Sequence, residues 1–336
     1  MRFRSIALMM VTFAGAAGAQ GAAADPSCVG PAADACQQAV DFFKYMAPQI
    51  GTAMTGGNTT LGQGGSLGGP RFGLIPRFTV GVRVNAVQGN APDYNPSFAP
   101  LAAGNAPPPA STQLTTSNAI VPMPAVDLAL GVFKGVPLPL TNVGGVDVLL
   151  SAAYIPNYNG DQFSIKPDNN LAFGAGLRVG LLQESLLVPG VGFSFISRKL
   201  PVTTLTATQS GTTSSATATV KDLDLKSNAW RLTVSKSLLL FGLAAGVGQD
   251  KYNASTSISA TVTPTVGGPV TVNSPSLKSN VTRTNYFADL SMNLLVLKLV
   301  GTVGMVSGGD IPTYNSYDNA PDKSRLYGSV GVRFGL

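Results

Sequence analysis

The sequence predicts an all-β fold, a transmembrane antiparallel up-and-down β-barrel of about ten strands (range roughly 8–14) that follows a short N-terminal helix. Three observations lead to this prediction. Apolar and polar residues alternate with period two from residue 71 onward. Only 11% of the residues are charged, against about 25% in soluble domains. Beyond the first 24 residues, no apolar run reaches the roughly 18 residues that a membrane helix needs.

The alternation is clear in the segment 77–86, where Phe78, Val80, Val82 and Val84 fall on one face and polar or small residues on the other. Successive side chains of a strand point to opposite faces, so each such segment has one apolar face. The other nine segments of this kind are 126–132, 146–152, 171–180, 191–196, 230–235, 241–248, 286–293, 299–305 and 326–336.

A soluble β-sandwich also alternates, but two features favour a barrel in lipid. A water-facing exterior normally carries many Lys and Glu side chains, and the only glutamate here is Glu184. The connections also alternate in length, which is typical of outer-membrane barrels with long outer loops and short periplasmic turns. The long connections are 88–122, 156–170, 250–283 and 307–324, and the short ones are 135–144, 184–189, 237–239 and 296–298. We expect five outer loops, with 202–222 and 255–282 continuing as hairpins above the membrane.

Residues 1–24 have the pattern of a secretory signal peptide. Arg2 and Arg4 precede a short apolar run at 6–17, and small residues suitable for cleavage follow. The run is too short to span a bilayer as a helix. We therefore expect export through the periplasm, removal of this segment and localisation in the bacterial outer membrane.

Residues 25–50 are predicted to form a helical segment, because apolar residues recur there at spacings of three and four. Cys28 and Cys36 are the two cysteines of the chain, and in an oxidising periplasm we expect them to form a local disulfide. A Gly-rich linker follows at 51–70, and the barrel occupies 71–336. We hypothesise that residues 28–50 lie in or below the lumen as a plug.

Charged residues fall on the predicted inner face, where buried charges need partners. The cations are Arg77, Arg83, Arg178, Arg198, Arg231, Lys298 and Arg333, and the anions are Asp127, Asp147, Asp250 and Asp289. One interpretation is a network of charge pairs that holds a narrow barrel closed. The other is a polar path with a weak preference for anions.

The C-terminal residues resemble the terminal signal by which the barrel-assembly machinery recognises outer-membrane strands. Ser329, Gly331, Phe334 and Leu336 stand at its polar, glycine, aromatic and hydrophobic positions. The resemblance implies that this machinery and the outer-membrane lipids are partners of the chain.

Two wider resemblances agree with a barrel. The segments Val121-Pro122-Met123-Pro124, Lys134-Gly135-Val136-Pro137-Leu138-Pro139 and 229–236 resemble an uncharacterised family of bacterial outer-membrane proteins, over roughly 71–336. That resemblance implies the fold and brings no activity. The order of a helical segment and then a barrel is loosely similar to the long-chain fatty-acid transporters of the outer membrane.

The chemistry of the chain argues against an enzyme. It contains no histidine, so the usual general base is missing from the Gly-x-Ser-x-Gly string at 64–68. Two cysteines without histidine make a zinc site improbable, and we expect no metal and no cofactor. There is no basic cluster suited to nucleic acid. A passive transporter or small channel for small or hydrophobic solutes remains the leading function. A small-molecule ligand is compatible with this function, and the sequence does not identify it. The alternative is a structural or surface-interaction barrel with a sealed lumen.

Overall fold

The computed structural model describes residues 21–69, 76–96, 111–159, 163–211, 214–294 and 296–335. Residues 1–20 of the predicted signal peptide 1–24 lie outside the described residues, as do Pro70 and Leu336. One helix, α1, spans Ala33–Thr55. The strands are β1 Arg77–Pro92, β2 Gln113–Leu114, β3 Thr116–Phe133, β4 Val136–Pro137, β5 Asn142–Val143, β6 Gly145–Tyr154, β7 Tyr158–Asn159, β8 Phe163–Pro167, β9 Leu171–Leu182, β10 Gly190–Lys199, β11 Thr203–Ser210, β12 Ser214–Leu238, β13 Phe241–Pro264, β14 Val270–Leu294, β15 Leu297–Ser307, β16 Ser316–Tyr317 and β17 Arg325–Gly335.

Ten of these strands form a closed ring in the order β1, β3, β6, β9, β10, β12, β13, β14, β15 and β17. All neighbours are antiparallel, and the pairing of β17 with β1 closes the ring. Closure leaves no free sheet edge in the barrel. The predicted up-and-down β-barrel with about ten strands and an N-terminal helix is therefore confirmed.

The two ends of the barrel differ, as the connection lengths predict. At the end that we call the turn end, β12 joins β13 at 239–240, and β14 ends at Leu294 shortly before β15 begins at Leu297. At the opposite end, the loop end, β1 ends at Pro92 and β3 begins at Thr116, and the connection 308–324 joins β15 to β17. β1 begins and β17 finishes at the turn end, because Thr79 pairs with Gly335.

In its turn-end part, the wall carries apolar side chains outside and mainly polar or small side chains inside. Leu290 on the outer face is 59% exposed, whereas the neighbouring Asp289 on the inner face is 2% exposed. This arrangement is the reverse of a soluble protein, in which exposed positions carry the charges. The alternation follows from the period-two pattern of the sequence. Among the described residues, no helix has the length and apolar character needed to cross a membrane.

Three strands extend well past the rest of the barrel at the loop end. β12, β13 and β14 have 24 or 25 residues, whereas β6, β9 and β10 have 10 to 12. A membrane crossing needs about 9–11 residues, so the shorter strands have the length of one crossing. The long strands continue as hairpins through 202–222 and 255–282, where β11 pairs with β12 and β8 pairs with β11.

The largest apolar core lies between helix α1 and the loop-end part of the wall. Phe43, Met54, Leu225 and Ile258 are among its most deeply buried members. This core fixes the helix inside the ring, which decides what else can enter the lumen.

Candidate functional site: the occupied lumen

Helix α1 enters the ring from the loop end and descends toward its middle. Near its beginning, Gln38 contacts the loop residue Asn95. Near its end, Thr52 and Thr55 each lie within 3.2 Å of the Tyr252 hydroxyl on the inner face of β13. Helix α1 therefore lies within the loop-end half of the lumen, and the preceding residues lie beside the outer loops. The bond from the Ala22 amide to the Thr313 carbonyl agrees with this direction.

Polar contacts attach the helix to the last long loop. The Asp41 carboxylate accepts hydrogen bonds from the backbone amides of Tyr314 and Asn315, at 3.0 and 2.9 Å. Burial raises the pKa of Asp41 above its usual value, and those two amides oppose the rise. Arg325 donates to the Tyr45 hydroxyl at 2.9 Å. Together these contacts hold the helix under the outer loop.

The helix ends at Thr55, five residues beyond the predicted boundary at 50. Gly51 and the threonines of this turn are weak helix formers, which is why the sequence pattern ends early. The barrel compensates by satisfying the free carbonyls of the last turn. Asn85 donates to Ala53 at 3.0 Å, and Arg83 donates to the Gly56 carbonyl at 2.5 Å. The positive guanidinium also complements the negative end of the helix dipole.

Residues 56–69, which we call the lumen segment, pass from the end of the helix to the turn end of the barrel. Gly56 lies against Tyr327 in the middle of the ring, and Gly69 lies against Lys134 at the turn end. This stretch is most of the predicted Gly-rich linker 51–70. It fills the turn-end half of the lumen, so the helix and the lumen segment together occupy the lumen from end to end.

Small residues let the lumen segment lie directly against the wall. A methyl group at Gly192 would overlap the Gly64 carbonyl oxygen, and one at Gly131 would overlap the Gly68 carbonyl oxygen. The glycines of both the segment and the wall therefore serve close backbone approach. This is the physical role of the glycine-rich inner face that the sequence displays.

Inward charges bind the lumen segment through its backbone and its polar side chains. Asp289 accepts from the Gly62 amide at 3.1 Å and from the Asn58 side chain at 3.2 Å. Arg333 donates to the Thr60 and Leu61 carbonyls at 2.8 and 2.9 Å. The other contacts of inner-wall side chains with this segment include those of Arg77 with Leu67, Arg178 with Thr60, Arg198 with Thr59, Ser235 with Gly64, and Asp147 with Leu67.

Several of these charges are also paired with one another across neighbouring strands. The shortest N–O distances are 2.6 Å for Arg83 and Asp127, 2.8 Å for Arg178 and Asp147, and 2.7 Å for Arg231 and Asp250. Arg198 lies 4.0 Å from Asp127. Lys298 is buried on the inner wall and pairs in register with Arg333. The structure thus places all eleven predicted lumen charges on the inner side of the wall, distributed along the lumen rather than in one centre.

Sequence reasoning missed part of this set. Arg283 and Arg325 are buried and donate to carbonyls of the last loop, at Pro321 and Ala320. Both were missed because the predicted strands began at 286 and 326, just after them. The period-two pattern, extended backward by one or two more pairs, would have placed both on the inner face. Asp41 had no comparable signal, since it lies on a helix whose partners are distant in sequence.

The disulfide and the terminal signal have clear positions. The predicted bond between Cys28 and Cys36 is confirmed, and it links the residues before α1 to its first turn. Ser329 and Gly331 lie on the inner face of β17, and the Phe334 ring lies 6.3 Å from the Phe78 ring. Leu336, the last position of that signal, lies outside the described residues.

No protein-family model and no curated protein matches the chain. The fold is similar to solved barrels, at low scores. The transport unit of the autotransporter AIDA-I from Escherichia coli has 8% identity and a TM-score of 0.30, over 88% of this chain and 99% of that chain. The beta domain of the Bordetella autotransporter Brka has 10% identity and a TM-score of 0.30, over 78% and 99%. The outer-membrane channel DcaP of Acinetobacter baumannii has 8% identity and a TM-score of 0.20, over 80% and 100%.

Proposed function

We propose that this chain is an outer-membrane β-barrel that provides a passive route for small solutes and is closed at rest by its own N-terminal segment. The exposed apolar outer wall and the strands of crossing length support a place in the membrane. The signal-like N-terminus and the terminal pattern at 329–336 support export and assembly by the barrel-assembly machinery. On the usual orientation of such barrels, the loop end faces outward and the turn end faces the periplasm.

The observation that carries the proposal is the way in which the lumen segment is held. The lumen segment packs one apolar side chain, Leu67, in a small buried cluster with wall residues. Its other contacts with the wall include many hydrogen bonds to charged side chains such as Asp289 and Arg333. Water can replace polar contacts of this kind, whereas it cannot replace an apolar core. Displacement of the lumen segment would uncover Arg, Asp and Gly residues of the wall in the turn-end half, which suit water and small polar solutes. A continuous path also requires helix α1, which fills the loop-end half, to move with the segment.

The test is electrical recording of the full-length protein in planar bilayers. Arg333→Gln removes a cation that donates hydrogen bonds to Thr60, Leu61 and Gln63 of the lumen segment. We expect wild type to be mostly closed and this variant to open about tenfold more often, since a hydrogen bond to a charged group contributes about 1.5–3 kcal/mol. Deletion of 21–69 should give steady conductance. Lys278→Gln, an equal charge change at an exposed site on the loop-end sheet, is the matched control.

A steadily conducting wild type would contradict closure by the segment. A silent deletion variant that is shown to be a folded barrel would instead favour the second candidate, a sealed structural or surface-interaction barrel. The specific observation in favour of that candidate is the sheet of β8, β11, β12, β13 and β14, which projects beyond the ring at the loop end. Binding of the intact protein to a cell surface, lost when 255–282 is shortened, would identify this role.

The remaining parts of the proposal concern chemistry and partners. We infer that the chain has no catalytic role, because it contains no histidine and its nucleophile-like Ser66 is buried against the wall glycines Gly145 and Gly180. The partners proposed are the outer-membrane lipids and the barrel-assembly machinery.

A further inference from the structure

The outer wall carries a groove of about 660 Å³ in the loop-end half of β3, β6, β9 and β10. Its floor is made by three small residues, Ala152, Ala175 and Ser197. Larger side chains border it, and the most exposed of the apolar ones is Phe173, at 60%. The volume lies within the usual range of ligand pockets, about 300–1,000 Å³.

The register explains why a groove forms at this place. Ala152 lies opposite Phe173, and Ala175 lies opposite both Leu150 and Ser197. Small and large outward side chains alternate along β6 and β9, and the small residues Ala175 and Ser197 face each other across β9 and β10. The small side chains of Ala152, Ala175 and Ser197 form a shallow channel that crosses the wall diagonally. The larger apolar side chains on either side give this channel a shape that suits an extended hydrocarbon chain.

Cations stand at the edge of the groove. Lys199 lines it and lies opposite Lys226 in register on β12, so two like charges face each other across the strands. Lys251 follows on β13, diagonally from Lys226, since its direct partner is Asn228. Like charges placed directly opposite are unfavourable unless a counter-charge lies between them. We call these three residues the lysine row.

The carboxylates near the lysine row do not neutralise it. Asp224 forms an exposed ion pair with Lys199 at 3.0 Å. Lys221 and Asp222, at the bulge in β12, add one charge of each sign. The described residues at this edge therefore leave a surplus of two positive charges beside an apolar groove.

We propose that the groove and the lysine row form a binding site for a phosphorylated glycolipid of the leaflet at the loop end. One acyl chain lies in the groove, and a phosphate lies between Lys199 and Lys226. A phosphate oxygen accepts charge-assisted hydrogen bonds from both ammonium groups, which removes the like-charge conflict. This inference rests on the proposed place of the barrel in the outer membrane.

The test uses the full-length protein, purified in detergent and titrated with a bisphosphorylated lipid A and with its dephosphorylated form. We expect wild type to bind the phosphorylated form more tightly, with an affinity that falls as salt is added. Lys226→Gln should weaken binding about tenfold, the size expected for one charge-assisted contact. This variant leaves the ion pair between Lys199 and Asp224 in place. Ala175→Leu, which fills the floor, should weaken binding of both forms, and Lys278→Gln should leave it unchanged.

Equal binding of the two lipid forms, or equal binding by wild type and Lys226→Gln, would overturn the phosphate site. Tighter binding of phosphatidylglycerol than of lipid A would overturn the choice of lipid. Failure of the proposed function is seen separately. A chain absent from the outer-membrane fraction, or lacking the heat-dependent gel shift of a folded barrel, refutes the membrane location. If the chain is a folded barrel in the outer-membrane fraction but does not bind the phosphorylated lipid, only the lipid inference is refuted.

Discussion

Asp289 provides the sharpest test of how the lumen is closed. Its carboxylate accepts from the Gly62 amide at 3.1 Å and the Asn58 amide at 3.2 Å on the lumen segment, and from the Thr302 hydroxyl at 2.7 Å on the wall. No cation lies within 4.0 Å of it among the ion pairs of the described residues. Asp289 is therefore a direct connection between the wall and the lumen segment.

Asp289→Ala should weaken that connection strongly, whereas Asp289→Asn should not. Alanine leaves two segment donors without this acceptor, at about 1–3 kcal/mol each, or about 2–6 kcal/mol in total. Since about 1.4 kcal/mol is a factor of ten, opening of the segment should become at least about 25-fold more frequent. Asparagine keeps an acceptor for the segment, and its NH₂ group can donate to Thr302. It should therefore give a much smaller change.

The assay is hydrogen exchange of peptides covering 56–69 in detergent micelles. Exchange there should accelerate by the stated factor in Asp289→Ala, while peptides from β13 and β15 keep the wild-type rate, because local opening leaves the barrel ladder intact. An unchanged exchange rate at 56–69 would refute the conclusion that Asp289 holds the lumen segment against the wall. Acceleration over the whole barrel would show instead that the carboxylate stabilises the wall.

Three further predictions concern other contacts of the N-terminal segment. Burial raises the pKa of Asp41 in the folded protein above its ordinary value of about 3.8. Acidification from the raised folded value toward that ordinary value should therefore increase the contribution of Asp41 to the free energy of unfolding. Asp41→Asn should abolish that part of the pH dependence in urea unfolding, and an identical pH profile would contradict it. Replacing Cys28 and Cys36 by serine opens a closed loop with a sequence separation of 8, which should cost about 2–3 kcal/mol and speed proteolysis before residue 36. Unchanged cleavage would count against this. Gly192→Val should displace the segment at Gly64 and raise conductance. Gly301→Ala should not, because a methyl group added at Gly301 meets no other atom within 4 Å. Equal conductance of the two would exclude the steric reasoning.

The sequence was informative wherever one local rule applied. Period-two alternation placed Arg83, Asp147 and Asp289 on one side of their strands without any tertiary information, because a strand fixes the side to which each residue points. The unequal connections gave the number of strands and the end of the barrel at which each chain reversal lies. The same rule was not applied to Arg283 and Arg325, because the predicted strands began after these residues.

Partners distant in sequence were not accessible in this way. Arg83 is fixed by Asp127, which is 44 residues away, and by Gly56 at the end of a helix that the pattern ended too early. Asp41 meets Asn315 across 274 residues. No periodicity carries such pairings, since they depend on where the ring closes and on how deeply the helix enters it.

The sequence by itself determined the inner and outer faces of the barrel, because an amphipathic strand has only two sides and one of them is apolar. It also determined that glycine would leave space inside. Only the tertiary structure decided what fills that space. The glycine-rich stretch after the helix has no side-chain pattern of its own, and the barrel gives it a path by offering donors and acceptors to its backbone along the whole lumen. The inner charges therefore do more than pair with one another, since many of them hold the segment that closes the barrel.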